Sequence, residues 1–291
     1  MKVTYYPGCT LKTKAKNLED AAVASMAALG IDFEELPRWN CCGAVHSLAD
    51  DDLIHHVAPV RDLIRVIEQG SQKVVTLCSM CYNTLARANL LMREDEEKRK
   101  TINGFMDEEI DYLGEVDVLH FLEVLRDEIG WDSLRNRIEV PLDGLKVASY
   151  YGCTLLRPKD VSIEPTGNPA LLNRLIITLG GTPVEFDAAS ACCGSYQILG
   201  NPEAALAAAK NILDEAIKSG AEAIVLSCPL CEYNLGKKQE KLLQDEMLSR
   251  GIPTFYFTQL LAISLGLDFE TCRFELNEKA CLELLKNKRI L

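Results

Sequence analysis

The sequence predicts an α/β protein of two pseudo-symmetric halves, each a small parallel sheet flanked by helices. Three observations predict it. Ten of the twelve cysteines form one pattern written twice, as C-x31-CCG-x34-CxxC and then C-x38-CCG-x33-CxxC. The segments around the cysteines repeat as well. In both copies, short apolar runs alternate with helical runs, the order of a parallel sheet.

The elements follow in order. Val3-Thr4-Tyr5-Tyr6-Pro7-Gly8-Cys9 matches Ala148-Ser149-Tyr150-Tyr151-Gly152-Cys153, and each reads as a buried strand delivering a cysteine from a glycine turn. Helical runs follow at Leu18 to Leu29 and Ala170 to Leu179, stopped by Gly30 and Gly180-Gly181. Extended segments, Phe33 to Leu36 and Pro183 to Phe186, lead into the CCG loops. Second helices are expected over Asp51 to Glu68 and Pro202 to Lys218, the latter with proline in its first turn. Strands Lys73 to Leu77 and Ala223 to Ser227 then deliver CxxC, and a third helix starts inside that motif. The first copy carries an extra stretch, Glu94 to Glu115. The mixed charges of Arg93 to Lys100 read as an exposed helix end or loop. A turn near Pro141-Leu142-Asp143-Gly144 divides the chain into residues 1–141 and 142–291.

The formal net charge of −12 excludes a nucleic-acid footprint, which needs clustered cations. No secretory signal opens the chain, and Phe255 to Leu267 is too short to span a bilayer. A cytoplasmic protein with no membrane span is expected. In a reducing compartment, so many cysteines favour metal ligation over disulfides. Neither a Rossmann fingerprint nor a P-loop occurs, so no nucleotide is expected.

Each copy offers five thiols: Cys9, Cys41, Cys42, Cys78 and Cys81, then Cys153, Cys192, Cys193, Cys228 and Cys231. Their positions fall at carboxyl ends of parallel strands, where α/β sheets place ligands. CxxC at a helix N-terminus favours the thiolate. Zinc and conventional cubane clusters both take four ligands, so five point to a larger or more open iron–sulfur centre. A structural zinc remains open as an alternative. Cys272 and Cys281 lie outside the pattern and read as ordinary buried thiols.

The duplicated pattern resembles the CCG-domain family, and a chain built almost wholly of two such domains resembles the B subunit of heterodisulfide reductase from methanogenic archaea. The resemblance implies two noncubane [4Fe-4S] clusters, one per domain, on the ten cysteines named. It also implies reduction of the coenzyme M–coenzyme B disulfide to two thiols at the end of methanogenesis. The implied partners are a small iron–sulfur subunit (C-type) and a flavin subunit (A-type), with a hydrogenase or formate dehydrogenase upstream. Two clusters facing one disulfide would match the two electrons its cleavage needs.

That substrate is anionic, and cations follow both leading cysteines. Lys12 and Lys14 (with Lys16), then Arg157 and Lys159, are the candidate anion ligands. His46, close after the first CCG, is a candidate proton donor, whereas the second copy has Gln197. His55, His56 and His120 read as structural. Tyr6 and Tyr151 read as lining a cleft or packing the core. Two alternative functions stand beside the first: a CCG subunit of a succinate, fumarate, lactate, glycolate or sulfur-oxidising enzyme, and a zinc-stabilised interaction module. No C-x2-C-x2-C-x3-C-P run precedes Cys9, which favours a separate B-type subunit over a fused relative.

Overall fold

Val3-Thr4-Tyr5 and Val147-Ala148-Ser149 are buried along their whole length, as the central strands of fully covered parallel sheets must be. A computed structural model describes residues 2–44, 53–164 and 169–291. The first half runs β1 (Lys2–Tyr5), α1 (Lys16–Ala28), β2 (Asp32–Glu35), α2 (Ile54–Glu68) and β3 (Lys73–Thr76). It continues with α3 (Ser79–Glu94), α4 (Glu96–Phe105), β4 (Asp117–His120), α5 (Phe121–Val124) and α6 (Trp131–Arg135). The second half repeats the plan as β5 (Lys146–Ser149), α7 (Leu171–Thr178), β6 (Thr182–Val184), α8 (Pro202–Lys218) and β7 (Ala223–Leu226). It closes with α9 (Pro229–Glu232), α10 (Gln239–Gln244), β8 (Thr254–Tyr256), α11 (Phe257–Ser264) and α12 (Lys279–Asn287).

The two sheets have one topology. Their orders are β2-β1-β3-β4 and β6-β5-β7-β8, with every pair parallel. The chain winds outward from β1 to β2, then crosses back to β3. The carboxyl ends of β1 and β3 therefore border the crevice where such sheets bind ligands, and β5 and β7 do the same. Cys9 follows β1 and Cys78 follows β3; Cys153 and Cys228 follow β5 and β7.

The extra stretch of the first half folds as α4. Asp95 caps it, its carboxylate accepting the Lys98 amide at 3.0 Å, so the charged run spans the end of one helix and the start of the next.

The halves exchange their closing helices. α11 packs on α1, and α6 packs on α7. At the first seam the Thr258 hydroxyl donates to the Leu18 carbonyl at 2.9 Å, and the Asn17 amide donates to Asn277 Oδ1 at 2.9 Å. The buried apolar side chains of both halves join in one core. Among the described residues no helix is long and apolar enough to cross a membrane.

Candidate metal centre

Each half brings its five thiols to the crevice beside its first and third strands. Cys9 and Cys41 are exposed, while Cys42, Cys78 and Cys81 are buried. The second half repeats the gradient: Cys153 is half-buried, Cys192 exposed, and Cys193, Cys228 and Cys231 buried. Cys9 Sγ stands 3.5 Å from Cys41 Sγ, and Cys42 Sγ 3.7 Å from Cys81 Sγ. Cys193 Sγ and Cys231 Sγ are 3.5 Å apart. Cys78 and Cys228, the first cysteines of the two CxxC motifs, contact each other across the boundary between halves. The two sulfur pockets thus adjoin at one buried pair.

Main-chain geometry sets this spacing. Gly8 has φ +74°, and a Cβ there would lie 2.9 Å from Cys81 Sγ. Gly194 has φ +81°, and a Cβ there would lie 2.6 Å from the Cα of Ala205 on α8. Glycine is required at both, for the left-handed backbone and for the close approach.

Further side chains fasten the CCG loops. The Tyr6 hydroxyl donates to the Asn40 carbonyl at 2.7 Å, and the Tyr150 hydroxyl donates to the Ala191 carbonyl at 2.7 Å. Each carbonyl belongs to the residue just before the cysteine pair. Burial, aided by the nearby thiols, pushes both phenols far up, so both remain donors. Tyr151, expected as the partner of Tyr6, instead lies under α7, its oxygen accepting the Leu172 and Asn173 amides at 2.9 and 3.3 Å. One turn into the CxxC helix, the Asn234 amide donates to the Cys193 carbonyl at 2.8 Å and reaches its sulfur at 3.6 Å. Thr84 holds the matching place near Cys42, but its hydroxyl donates to the Met80 carbonyl at 2.9 Å. A polar residue three positions after CxxC was the available signal for this pair.

The donor set fits a polynuclear centre. Hydrogen bonds from Cys41 and Cys81 hold the Cys42 thiol well below its ordinary range, and those from Cys231 and Cys78 do the same for Cys228. The Cys153 thiol, the Gly194 and Ser195 amides and the Arg157 charge bring Cys192 down to about 6. Their neighbours Cys41, Cys78, Cys81, Cys153 and Cys231 are pushed up by the same contacts. Thiolates this crowded repel, and all can ionise together only around a cationic centre. Among the described residues no group of three or more His, Cys, Asp and Glu side chains closes around a single-ion site. The thiols approach one another in pairs, Cys9 with Cys41, Cys42 with Cys81 and Cys193 with Cys231.

The structure separates the candidate cations. Lys12 is held in an internal ion pair, its Nζ lying 2.7 Å from Glu19 and 2.5 Å from Glu35, and so is not free for substrate. Lys16 is held by the same buried Glu19 at 2.6 Å. Lys14, Arg157 and Lys159 are exposed beside the leading cysteines. Asn83 on α3 ties the second of these loops down, its amide donating to the Thr154 and Arg157 carbonyls at 2.9 and 2.7 Å. His46 lies outside the described residues. His120 is structural, as expected: its Nε2 bonds the Leu77 carbonyl at 3.0 Å. Cys272 and Cys281 are buried away from both pockets, bonded to the Gln259 and Thr254 carbonyls.

Comparison with known proteins agrees. The model of the cysteine-rich (CCG) domain matches residues 3–86 and 147–236. The chain is 32% identical to the membrane anchor of the 8-methylmenaquinol:fumarate reductase of Wolinella succinogenes, over 90% of this chain and 92% of that one. It is 29% identical to the B subunit of the ferredoxin:CoB-CoM heterodisulfide reductase of Methanosarcina mazei, over 98% of this chain and 96% of that one. The fold recurs in a crystal structure of a hypothetical protein from Helicobacter pylori, with a TM-score of 0.74 at 12% identity, over 94% of this chain and 51% of that one. Both named relatives are subunits of oxidoreductases, and CCG domains of this kind imply iron–sulfur clusters. The chain belongs to the CCG cysteine-rich domain family, with one copy of the domain in each half.

Proposed function

We propose that this chain is the B-type iron–sulfur subunit of a cytoplasmic heterodisulfide reductase, and that it cleaves the coenzyme M–coenzyme B disulfide. The observation carrying this reading is the 2.5 Å hydrogen bond between Ser79 and Ser227, which sets the adjoining Cys78 and Cys228, and with them the two sulfur pockets, side by side. In this proposal residues 1–141 hold one noncubane [4Fe-4S] cluster on Cys9, Cys41, Cys42, Cys78 and Cys81. Residues 142–291 hold another on Cys153, Cys192, Cys193, Cys228 and Cys231. Such clusters, when bound, would supply one electron each and Lewis-acid chemistry for a departing thiolate.

The protein's own groups do the rest. Tyr6 and Tyr150 hold the CCG loops at the pocket floors. Asn234 hydrogen-bonds the Cys193 sulfur, which would raise the potential of a bound cluster. Lys14, Arg157 and Lys159 stand at the mouths, where anionic ends of the substrate would be received. The disulfide takes two electrons and two protons and leaves as two thiols. Electrons arrive through a small iron–sulfur subunit and a flavin subunit, with a hydrogenase or formate dehydrogenase further upstream.

The test is an anaerobic assay of the purified chain with a reduced dye. Turnover of the heterodisulfide and not of simple symmetric disulfides is expected, with iron and labile sulfide in near-equal amounts. Zinc without iron would overturn the reading, as would turnover that survives loss of either cluster in Cys81→Ala or Cys231→Ala. The 32% identity to a menaquinol-linked relative favours a second reading, electron transfer from a quinol to a fumarate reductase. Oxidation of a reduced menaquinone analogue, with no heterodisulfide activity, would select it.

A further inference from the structure

The duplication supplies an internal comparison of what surrounds the sulfur in each pocket. Counting from the cysteines pairs Thr84 with Asn234, three positions after each CxxC, and Thr13 with Arg157, four positions after each leading cysteine. Asn234 is 2% exposed, and its amide donates to the Cys193 carbonyl at 2.8 Å and to the Cys193 sulfur at 3.6 Å. Thr84 has one hydroxyl proton, and the Met80 carbonyl takes it at 2.9 Å. Cys192, held down chiefly by the Cys153 thiol, also feels the charge of Arg157. Thr13 is neutral, and its hydroxyl donates to the Cys9 carbonyl at 3.0 Å.

Both differences act in one direction. An amide hydrogen bond to a ligand sulfur, or a cation beside one, stabilises the negative charge that reduction adds, so each raises the potential of a bound cluster. The Asn234 bond is buried, where water does not dilute it. Arg157 is exposed and salt screens it, so Asn234 carries the larger share. Two features act the other way and are weaker. Glu232 stands where the first half has Tyr82, but Lys237 lies 3.5 Å from it and balances its charge. Solvent favours added charge more at the exposed Cys9 than at the half-buried Cys153. That difference is confined to the leading cysteines, because the other four correspond, exposed with exposed and buried with buried.

We infer that the two pockets are unequal: the second holds its cluster at the higher potential, Asn234 chiefly sets the difference, and the first electron delivered to the chain comes to rest in the second half. Asn234 acts through the Cys193 sulfur, as a positioning residue and not a catalytic one. The donor is a one-electron reductant, such as a reduced viologen in solution. It loses one electron and the centre in the second pocket gains it, with no bond made or broken. The inference rests on the reading that an iron–sulfur cluster fills each pocket and is independent of the substrate.

A potentiometric titration of the anaerobically prepared holoprotein, followed by electron paramagnetic resonance, tests this. Two one-electron steps at separate potentials are expected. Asn234→Thr gives the second half the residue of the first. It should lower the higher step by about 59 mV, a tenfold fall in the reduction constant, and leave the lower step in place. Arg157→Thr, on the exposed loop, should lower the same step by less, and its effect should shrink as salt is added. Iron and labile sulfide should stay at parent levels in both variants, which separates a change of potential from loss of a cluster. Coincident steps in the parent, with both clusters present, overturn the inference and leave the cluster reading standing. So does a higher step that Asn234→Thr, with its iron intact, leaves in place, or a lower step that either variant moves instead. Zinc in place of iron, with no redox step at all, overturns the cluster reading and the inference with it.

Discussion

The hydroxyl of Ser79 lies 2.5 Å from that of Ser227, across the boundary between the two halves. Both residues are 1% exposed, and each adjoins the CxxC cysteine that meets its counterpart there. This hydrogen bond fixes the distance between the two sulfur pockets. Ser79→Ala leaves the Ser227 hydroxyl buried without its partner, a loss of about 1–3 kcal/mol. Removing both hydroxyls leaves no orphan. Chemical unfolding should show Ser79→Ala and Ser227→Ala each destabilised and the double variant recovering much of the loss. Additive losses would mean that the pair does not act as a unit.

Gly8 and Gly152 make a graded comparison. Both have positive φ, at +74° and +65°. A Cβ on Gly8 would fall 2.9 Å from Cys81 Sγ, whereas one on Gly152 would sit 3.6 Å from Cys231 Sγ. Alanine at either position strains the turn, but only at Gly8 does it also press on a cysteine sulfur. Gly8→Ala should therefore lose more iron than Gly152→Ala, and from the first pocket only. Iron analysis with electron paramagnetic resonance of each cluster reads the difference. Equal losses would show that backbone strain alone decides.

Asn83 belongs to the first half but holds a loop of the second, through the Thr154 and Arg157 carbonyls. That loop follows Cys153 and carries Arg157. Asn83→Ala should disturb the spectrum of the second cluster and leave the first largely intact. If Arg157 receives an anionic end of the substrate, Asn83→Ala should also raise KM several-fold, with a smaller effect on kcat. A change confined to the first cluster would place the role of Asn83 within its own half.

The cysteine framework and the alternation of strand and helix were legible in the sequence because both are local. The bounds of α8 were readable to the residue, from Pro202 at its first turn to the stop at Gly220. The tyrosine pairing was misread for a local reason too. Pro7 and Tyr151 both stand two residues before a leading cysteine, so counting back from the cysteine pairs Tyr6 with Tyr150. Matching the Tyr-Tyr doublets instead slips the register by one and exchanges a clamp on the CCG loop for a support under α7. The rest was not local. Nothing near Lys12 in sequence shows that Glu35, on β2, will hold it. Nor does a run of residues show that Asn83 will reach the second half, or that Cys78 will meet Cys228. Such contacts follow from how the sheets pack.

His120 gives the clearest dependence on pH. It is fully buried, and its Nδ1 accepts the Leu122 amide at 3.3 Å, so its proton resides on Nε2 and is donated to the Leu77 carbonyl. Burial pushes its pKa down to about 4, against the opposing pull of the Leu77 carbonyl and the Cys228 thiolate. In the unfolded chain it titrates near the ordinary value of about 6.5. Between those values the unfolded state binds more protons, so the contribution of His120 to stability is whole above pH 6.5 and shrinks as the pH falls towards 4. Each pH unit in that window is worth about 1.4 kcal/mol. Glu123 and Glu232, both raised to about 7 by burial, act in the opposite direction, favouring the folded state as the pH falls from 7 towards 4.5. Because these trends offset one another in the parent protein, the test is the difference from His120→Gln, which keeps an amide donor for Leu77 but cannot titrate. Urea midpoints measured anaerobically from pH 7 to 5 should diverge, the parent losing about 2 kcal/mol relative to the variant. Parallel profiles would mean that folding leaves the imidazole's affinity for protons unchanged.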